Sequence, residues 1–411
     1  MSIDLEILLN DTPVARLSRG DDRLVRLTFH RSYVEATHRP LLSLYYLGKL
    51  RTPLDPEPRV PDFFANLLPD PDGPLRALIA AAASARDDQE MRLLAYLGDD
   101  LPGAVRVRAS ELDDEAPYPL PAPSRHLDGP RLRFSLAGIQ LKFSMMRAGK
   151  GLTLPASGRG GDWIVKLPDA EFPGVPEAEY AAMEWARASG IDIPALELVT
   201  FAQLSGIPPL RGAHADASLC LAIRRFDRAE GGTRIHIEDC AQVFGRAPSQ
   251  KYNEHLTAGA PPIGYETLAR AVAVYAPNDR RELVRRLIFM ILSGNADAHL
   301  KNWSFIYRDG RRPRLAPAYD LVPTIVFPAT SDRLALPFFG DTDFEAITPT
   351  TLERLAPQLS LSVDETRAWV REDIDRIMDA WSGVKGLDLD VRHALTRHHA
   401  RLRRRGLLAA S

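Results

Sequence analysis

Asp297, Asn302 and Asp320 have the types and order of side chains that handle a phosphate group and a hard cation. The stretch Asn295-Ala296-Asp297-Ala298-His299-Leu300-Lys301-Asn302 sets a carboxylate, Asp297, and a carboxamide, Asn302, with four residues between them, and Asp320 follows in Ala318-Tyr319-Asp320-Leu321. Carboxylate and amide oxygens are hard donors that suit Mg²⁺. A carboxylate that is not on the metal can accept a proton from an attacking hydroxyl. Phosphoryl transfer needs little more from a protein: metal ligands, a cation on the phosphates, and a carboxylate orienting the nucleophile. Asp297 is expected as the base, with Asn302 and Asp320 on the metal.

The elements around these residues are arranged to bring them together. Trp303-Ser304-Phe305-Ile306-Tyr307 is aromatic and β-branched, Arg308-Asp309-Gly310 carries an Asp-Gly turn signal, and Arg314-Leu315-Ala316 returns. Such a hairpin carries Asp320 back beside the Asp297 loop. Protein kinases use the same four-residue gap and the same second carboxylate.

The phosphate cation is expected at Lys166. It lies in the apolar strand Trp163-Ile164-Val165-Lys166-Leu167, where an ammonium is costly without a partner. The helix that follows offers the acid: Glu179 is the natural partner, with Glu177 and Glu184 as alternatives. The alternative for Lys166 itself is a solvent-facing lysine on an edge strand. Ser135-Leu136-Ala137-Gly138-Ile139-Gln140-Leu141-Lys142 lacks the Gly-Lys-Ser/Thr of a Walker loop. It could still turn backbone N–H groups onto a phosphate, or be an ordinary β-turn. His299 and Lys301 sit inside the Asp297 loop, and no second His or Cys stands at zinc-ligand spacing from His299. Arg224-Arg225-Phe226-Asp227-Arg228 closes the strand-rich region and reads as a hinge, with Phe226 also suited to a core. Glu238 and Asp239 precede a helical stretch and are read as its cap.

Bulk properties bound the alternatives. A formal charge of −2 over 411 residues gives no global attraction to nucleic acid or anionic membrane. No apolar run reaches the roughly 18 residues that a membrane span requires, and the first residues lack a signal-peptide pattern. Cys220 and Cys240 have no metal-ligand spacing and read as buried thiols of a reduced, cytoplasmic protein.

Along the chain, residues 1–112 read as a small unit. A hairpin from Leu5 to Leu17 turns at Asn10-Asp11, a strand ends at Phe29, and helical segments cover Phe63–Leu68 and Glu90–Leu97. Asp113 to Arg125 is acidic and then proline-rich, as a connecting loop is. Residues 130–228 read as the small-lobe core: strands at Phe134–Ser144 and Trp163–Leu167, a helix at Glu177–Ala188, and strands at Leu196–Phe201 and Leu219–Phe226. Residues 229–411 read as a helical lobe, with helices at Tyr265–Tyr275, Asp279–Leu292, Thr351–Leu355, Val363–Trp381 and Leu389–Arg404. The predicted fold class is α+β and bilobal, with a β-rich first lobe, an added N-terminal subdomain and an all-helical C-terminal lobe. The basic segment Arg392–Arg405 reads as a solvated helix face, with His398 and His399 at the surface.

In this order the motifs resemble the HipA-type serine/threonine kinases, toxins of bacterial HipA–HipB toxin–antitoxin modules. The resemblance covers nearly the whole chain. It takes in Phe63-Phe64-Ala65-Asn66-Leu67-Leu68-Pro69 and Leu97-Gly98-Asp99-Asp100-Leu101-Pro102-Gly103-Ala104 of the first unit. It continues through the Ser135–Lys142 loop, Ile164-Val165-Lys166-Leu167-Pro168, Arg225-Phe226-Asp227-Arg228, Glu238-Asp239, the Asp297 loop and Tyr319-Asp320. The resemblance implies a kinase using ATP and Mg²⁺. Ala137, Gly138, Gln140 and Lys142 would lie at the nucleotide, with Lys166, His299 and the hinge residues Arg225, Phe226 and Asp227. It implies inhibitory autophosphorylation at Ser135, where a phosphate adds close to two negative charges beside an ATP site. It also implies a HipB-like helix-turn-helix antitoxin that binds DNA, and a protein substrate in translation, with glutamyl-tRNA synthetase as the analogy.

The chain departs from the family pattern at three places. Arg224 stands where an acid often precedes the hinge, Ile237 where a Gln often precedes Glu-Asp, and Ile139 and Leu141 make the loop more apolar than in some relatives. Two rivals follow: a kinase of the same fold with another substrate, and a catalytically weak ATP-binding co-repressor scaffold for the antitoxin. The intact set Lys166, Asp297, Asn302 and Asp320 argues against the scaffold, and the near-neutral charge argues against autonomous DNA binding.

Overall fold

The computed structural model describes residues 3–71, 73–83, 85, 89–109, 141–155, 161–168, 174–207, 215–256, 258–327 and 333–408. The expected connecting loop at Asp113–Arg125 and the residues Ser135, Ala137, Gly138 and Gln140 lie outside them.

The N-terminal unit is built on strands β1 (Ile3–Leu9), β2 (Thr12–Arg19), β3 (Val25–Phe29) and β4 (Val105–Ala109), in the sheet order β3-β2-β1-β4. Alternation selects the buried face: Leu5, Ile7 and Leu9 point inward, while Asp4 and Glu6 are only half-buried. Asn10 makes the β1–β2 turn at φ 55°, a backbone region that Asn tolerates. Helices Asp62–Ala65 and Glu90–Leu97 cover the sheet, burying Phe63, Phe64, Leu93 and Leu94.

The second sheet has six strands: β5 (Lys142–Ala148), β6 (Gly151–Thr153), β7 (Trp163–Lys166), β8 (Leu196–Thr200), β9 (Leu204–Ser205) and β10 (Leu219–Arg224). Their order is β8-β10-β7-β5-β6-β9. β7 is central, so Lys166 lies opposite Lys142 on one side and Leu221 on the other. The edge-strand alternative for Lys166 is therefore excluded. Helix Val175–Ala188 begins after Gly174 at φ 83° with Pro176 in its first turn. Its inward residues Ala178, Glu179, Ala182 and Met183 are all buried.

The C-terminal half is organised by helix Arg280–Ser293, whose segment Leu287–Leu292 is buried on every side. Helices Tyr265–Tyr275, Val363–Ser382 and Leu389–Arg404 pack in the same hydrophobic core. This lobe is not all-helical. It also holds β11 (His236–Asp239), β12 (Ser304–Tyr307) and β13 (Arg314–Leu315) as one sheet, and the hairpin β14 (Arg333–Phe338) with β15 (Asp341–Asp343). The expected β12–β13 hairpin forms and recruits β11 on its free edge, because Ser304–Tyr307 is wholly buried and an unpaired edge there would strand backbone donors.

His398 and His399 are buried and not at the surface. The inward stripe of their helix runs Leu395, His398, His399 and Leu402, at helical spacing. Each imidazole Nε2 hydrogen-bonds a carbonyl at the end of the central helix, His398 to Ile291 and His399 to Leu292, both at 2.8 Å. Both carbonyls lie in the last turn, where intrahelical donors run out; Ile291 O also accepts from Gly294 N–H at 3.2 Å, and the two rings add the remaining donors. The arginines of the same helix form its other face. Cys220 and Cys240 are buried free thiols.

Candidate active site

A cavity of about 970 Å³ opens between the six-stranded sheet and the helical half. Lys142 and Lys166 line one wall, and Asp297, His299, Asn302 and Asp320 line the other. The chain brings these residues together across more than 150 positions because one glycine and one hairpin direct it. Gly294 ends the central helix at φ 65°, where a Cβ would meet Ile325 Cδ1 at 2.2 Å. The chain can therefore leave the helix only through glycine, and the Asp297 loop follows directly.

Lys166 is the best-anchored group. Its ammonium donates to both oxygens of Glu179, at 2.6 and 2.8 Å, and to Asp320 Oδ1. Of the three acids considered, Glu179 is the partner and it is fully buried. Burial opposes the Lys166 charge, yet Asp320 and Glu179 together hold the ammonium above the ordinary lysine range. Burial also opposes the Asp320 charge, and Lys166 and Lys142 hold that carboxyl well below the usual carboxylate range. Asp320 adopts φ 55°, a strained setting for a non-glycine residue that marks the position as specified by more than chain direction.

The Asp297 loop is fixed through its backbone. Asp297 N–H donates to Asn295 Oδ1 at 3.0 Å, and Asn302 Nδ2 donates to the Asp297 carbonyl at 3.1 Å. Asn295 Nδ2 reaches the Asp320 carbonyl at 3.2 Å and ties the two segments together. Burial raises the Asp297 carboxyl, with Tyr252 and Lys251 opposing it. Burial first, and then Lys251, push His299 down to about 3, so its ring is neutral at neutral pH.

The hinge residues sit at the cavity but their side chains have another task. Arg225 donates to Asp227 at 2.9 and 2.8 Å, to Asp100 Oδ1 at 3.1 Å and to Ser144 Oγ at 3.1 Å. Asp227 also accepts from the Gly103 N–H at 2.8 Å and from Arg228 at 2.7 Å. This buried network joins the hinge to Asp100 and Gly103 of the N-terminal unit, so Arg225 and Asp227 offer the cavity mainly their backbone. Phe226 stacks obliquely on Tyr319, with ring centres 5.7 Å apart. The Glu238–Asp239 pair divides its work. Asp239 caps helix Cys240–Val243 by accepting from Gln242 N at 2.8 Å. Glu238 instead accepts from Ser43 Oγ at 2.6 Å, from Leu44 N at 2.9 Å and from the Tyr307 hydroxyl.

Three participants escaped the sequence reading. Asp70, from the N-terminal unit, binds Lys251 at 2.6 Å and Lys301 at 2.9 Å. Tyr252 donates its hydroxyl to Asp297 Oδ1. These contacts span as many as 231 positions, and the only local hint was a lysine, Lys301, inside the Asp297 loop.

Residues 134–381 match the family model described as the HipA-like C-terminal domain, and residues 5–108 match the HipA N-terminal domain. The chain belongs to the HipA family. A Sinorhizobium fredii protein, Y4dM, named provisionally as a kinase, is 42% identical over 93% of this chain and 92% of its own length. The Shewanella oneidensis serine/threonine-protein kinase toxin HipA is 25% identical over 69% of this chain and 68% of its own. Among solved structures, HipA in the Shewanella oneidensis MR-1 complex of HipA, HipB and operator DNA superposes with a TM-score of 0.69. That match has 21% identity and covers 98% of this chain and 96% of that one. It shows the fold: the α+β, two-lobed architecture with an added N-terminal unit is that of HipA. Among the described residues, no helix is long and apolar enough to cross a membrane.

Proposed function

We propose that this HipA-family chain is an ATP- and Mg²⁺-dependent serine/threonine-protein kinase. The observation that carries the reading is the Glu179–Lys166–Asp320 cluster, in which Lys166 and Asp320 join the two walls of the cavity that the Asp297 loop also lines.

The side chains present suit a polyphosphate. Lys142 is a buried ammonium with no hydrogen-bond or ion-pair partner among the described residues, and burial lowers its proton affinity. His299 Nδ1 is buried and likewise unpartnered. Both line the cavity, and an anion there would satisfy both. Asn302 uses its nitrogen on the Asp297 carbonyl and keeps its oxygen for a cation. With Asp320 it supplies two oxygen ligands, enough for a Mg²⁺ that keeps waters and phosphate oxygens as its other ligands. When bound, Mg–ATP supplies the transferable phosphoryl group, with the metal offsetting charge on the phosphate oxygens. Lys166 and Lys142 would hold phosphate oxygens, and Asp297 would accept the proton of the attacking hydroxyl. The hinge backbone at Arg225–Asp227 would meet the base.

The acceptor we infer is a protein hydroxyl, in a translation component such as glutamyl-tRNA synthetase by family analogy. A HipB-like antitoxin would be the partner, bringing DNA with it, and Ser135 would be the autophosphorylated position. Radiolabelled ATP with the purified chain, followed by phosphosite mass spectrometry, tests this. Phosphate on serine or threonine is expected, Ser135 included, and is expected to vanish in Asp297→Asn and Asp320→Ala. Transfer that survives both substitutions would refute the assignment.

A further inference from the structure

We propose that Tyr252 is a positioning residue for Asp297, anchored to the N-terminal unit through Lys251 and Asp70. The inference deepens the kinase reading and rests on it.

Among the described residues, the Tyr252 hydroxyl supplies the one side-chain hydrogen bond to the Asp297 carboxylate, on Oδ1. The loop backbone is held separately by Asn295 and Asn302. Without Tyr252, nothing described would set the carboxylate's rotation about its own χ angles. A base that must take a proton from an incoming hydroxyl depends on that rotation, because misplacement by an ångström costs orders of magnitude.

Tyr252 is itself held on several sides. Its neighbour Lys251 donates to Asp70 Oδ2 at 2.6 Å, and the Lys251 carbonyl accepts from Leu300 N at 3.2 Å. The Tyr252 ring meets His299 edge-on, with centres 4.9 Å apart at 77°. The next residue, Asn253, exchanges two hydrogen bonds with Ile263, at 3.0 and 2.8 Å. Asp70 also binds Lys301 at 2.9 Å, so one carboxylate of the N-terminal unit fixes both the Tyr252 segment and the Asp297 loop. A tyrosine braced in this way acts as a strut. It occupies Oδ1 and leaves Oδ2 of Asp297 for the acceptor hydroxyl.

The test uses the full-length chain, with radiolabelled ATP as the donor and the chain's own serines and threonines as acceptors. Tyr252→Phe keeps the ring against His299 and removes only the hydroxyl. The expected result is a fall of roughly 10- to 100-fold in kcat, the loss of one hydrogen bond to a charged group, with KM for ATP unchanged. Asp70→Asn is expected to lower kcat with the same unchanged KM. Full activity in Tyr252→Phe, or a loss carried by KM for ATP with kcat unchanged, overturns the positioning role. Phosphate found on Tyr252 also overturns it, making the residue an acceptor. A wild-type chain that transfers no phosphate refutes the kinase reading itself, and this proposal with it.

Discussion

Glu179→Gln tests how the ion cluster works, because Lys166 has two competing carboxylates. In the structure the ammonium is shared between Glu179 and Asp320. A metal on Asp320 competes with Lys166 for that carboxylate's charge, and Glu179 then becomes the anion that keeps the buried ammonium charged and in place. Glutamine preserves the volume of the side chain. It keeps one neutral acceptor and turns an N–H group toward an ammonium that is itself only a donor. One charge-assisted bond is lost and the other is weakened, at about 1.5–3 kcal/mol for a full bond to a charged group. The combined loss is about 2–4 kcal/mol, or roughly 30- to 1,000-fold in kcat/KM. It has a signature: Lys166 now holds Asp320 more tightly, so the Mg²⁺ concentration giving half-maximal rate rises. Initial rates of phosphate transfer across a Mg²⁺ titration read both effects, with circular dichroism melts to establish folding. A folded Glu179→Gln chain within threefold of wild type, with an unchanged Mg²⁺ midpoint, would refute the competition between the two carboxylates.

Other perturbations probe the frame around the cluster. Arg225→Met removes one of the two guanidinium groups that, among the described residues, offset the buried Asp100 and Asp227, leaving Arg228 to pair both, and breaking a buried pair costs roughly 3–5 kcal/mol; urea unfolding should show a loss of up to that size, with the N-terminal unit becoming more susceptible to limited proteolysis. Gly294→Ala forces a left-handed backbone and a clash with Ile325, costing at least about 1–2 kcal/mol and displacing the Asp297 loop; thermal melts and transfer rates should both fall. Burial holds His398 and His399 down at about 4, so the folded state binds fewer protons than the unfolded one between pH 4 and the ordinary value of 6.5. Stability from this pair is thus complete above that window and lost as pH falls through it, up to about 3 kcal/mol per ring. His399→Gln should flatten the pH dependence of the urea midpoint between 6.5 and 4, and an unchanged slope would contradict the assignment.

Local rules carried far in this chain. The hairpin at Ser304–Leu315, the helices Tyr265–Tyr275 and Leu389–Arg404, and the lysine strand are all set by periodicity and turn chemistry within a dozen residues. The Lys166–Glu179 pair was legible because an ammonium in an apolar strand demands an anion, and the next helix brings three acids within reach. The burial of His398 and His399 was harder to read, because histidine is amphipathic and a basic segment masks its inward stripe. The destination of those rings, two carbonyls about 107 positions earlier, is a tertiary fact with no local trace.

The hinge shows the other limit most clearly. Arg225 and Asp227 read as nucleotide residues because of where they fall in the chain, but their side chains are bound up with Asp100, Gly103 and Arg228. Asp70 and Glu238 make the same kind of junction at two further points, to Lys251 and Lys301 and to Ser43 and Leu44. At three places, then, a buried acidic side chain joins the N-terminal unit to segments that border the cavity. Charge buried at a junction is expensive unless every partner is present, so the two parts are stable in this arrangement only together. The N-terminal unit is therefore better understood as part of the site's framework than as an appended module. A chain lacking residues 1–112 should lose soluble expression or transfer activity together with the cavity's geometry. A truncated chain with wild-type kcat would show that the three junctions hold the unit in place without supporting the site.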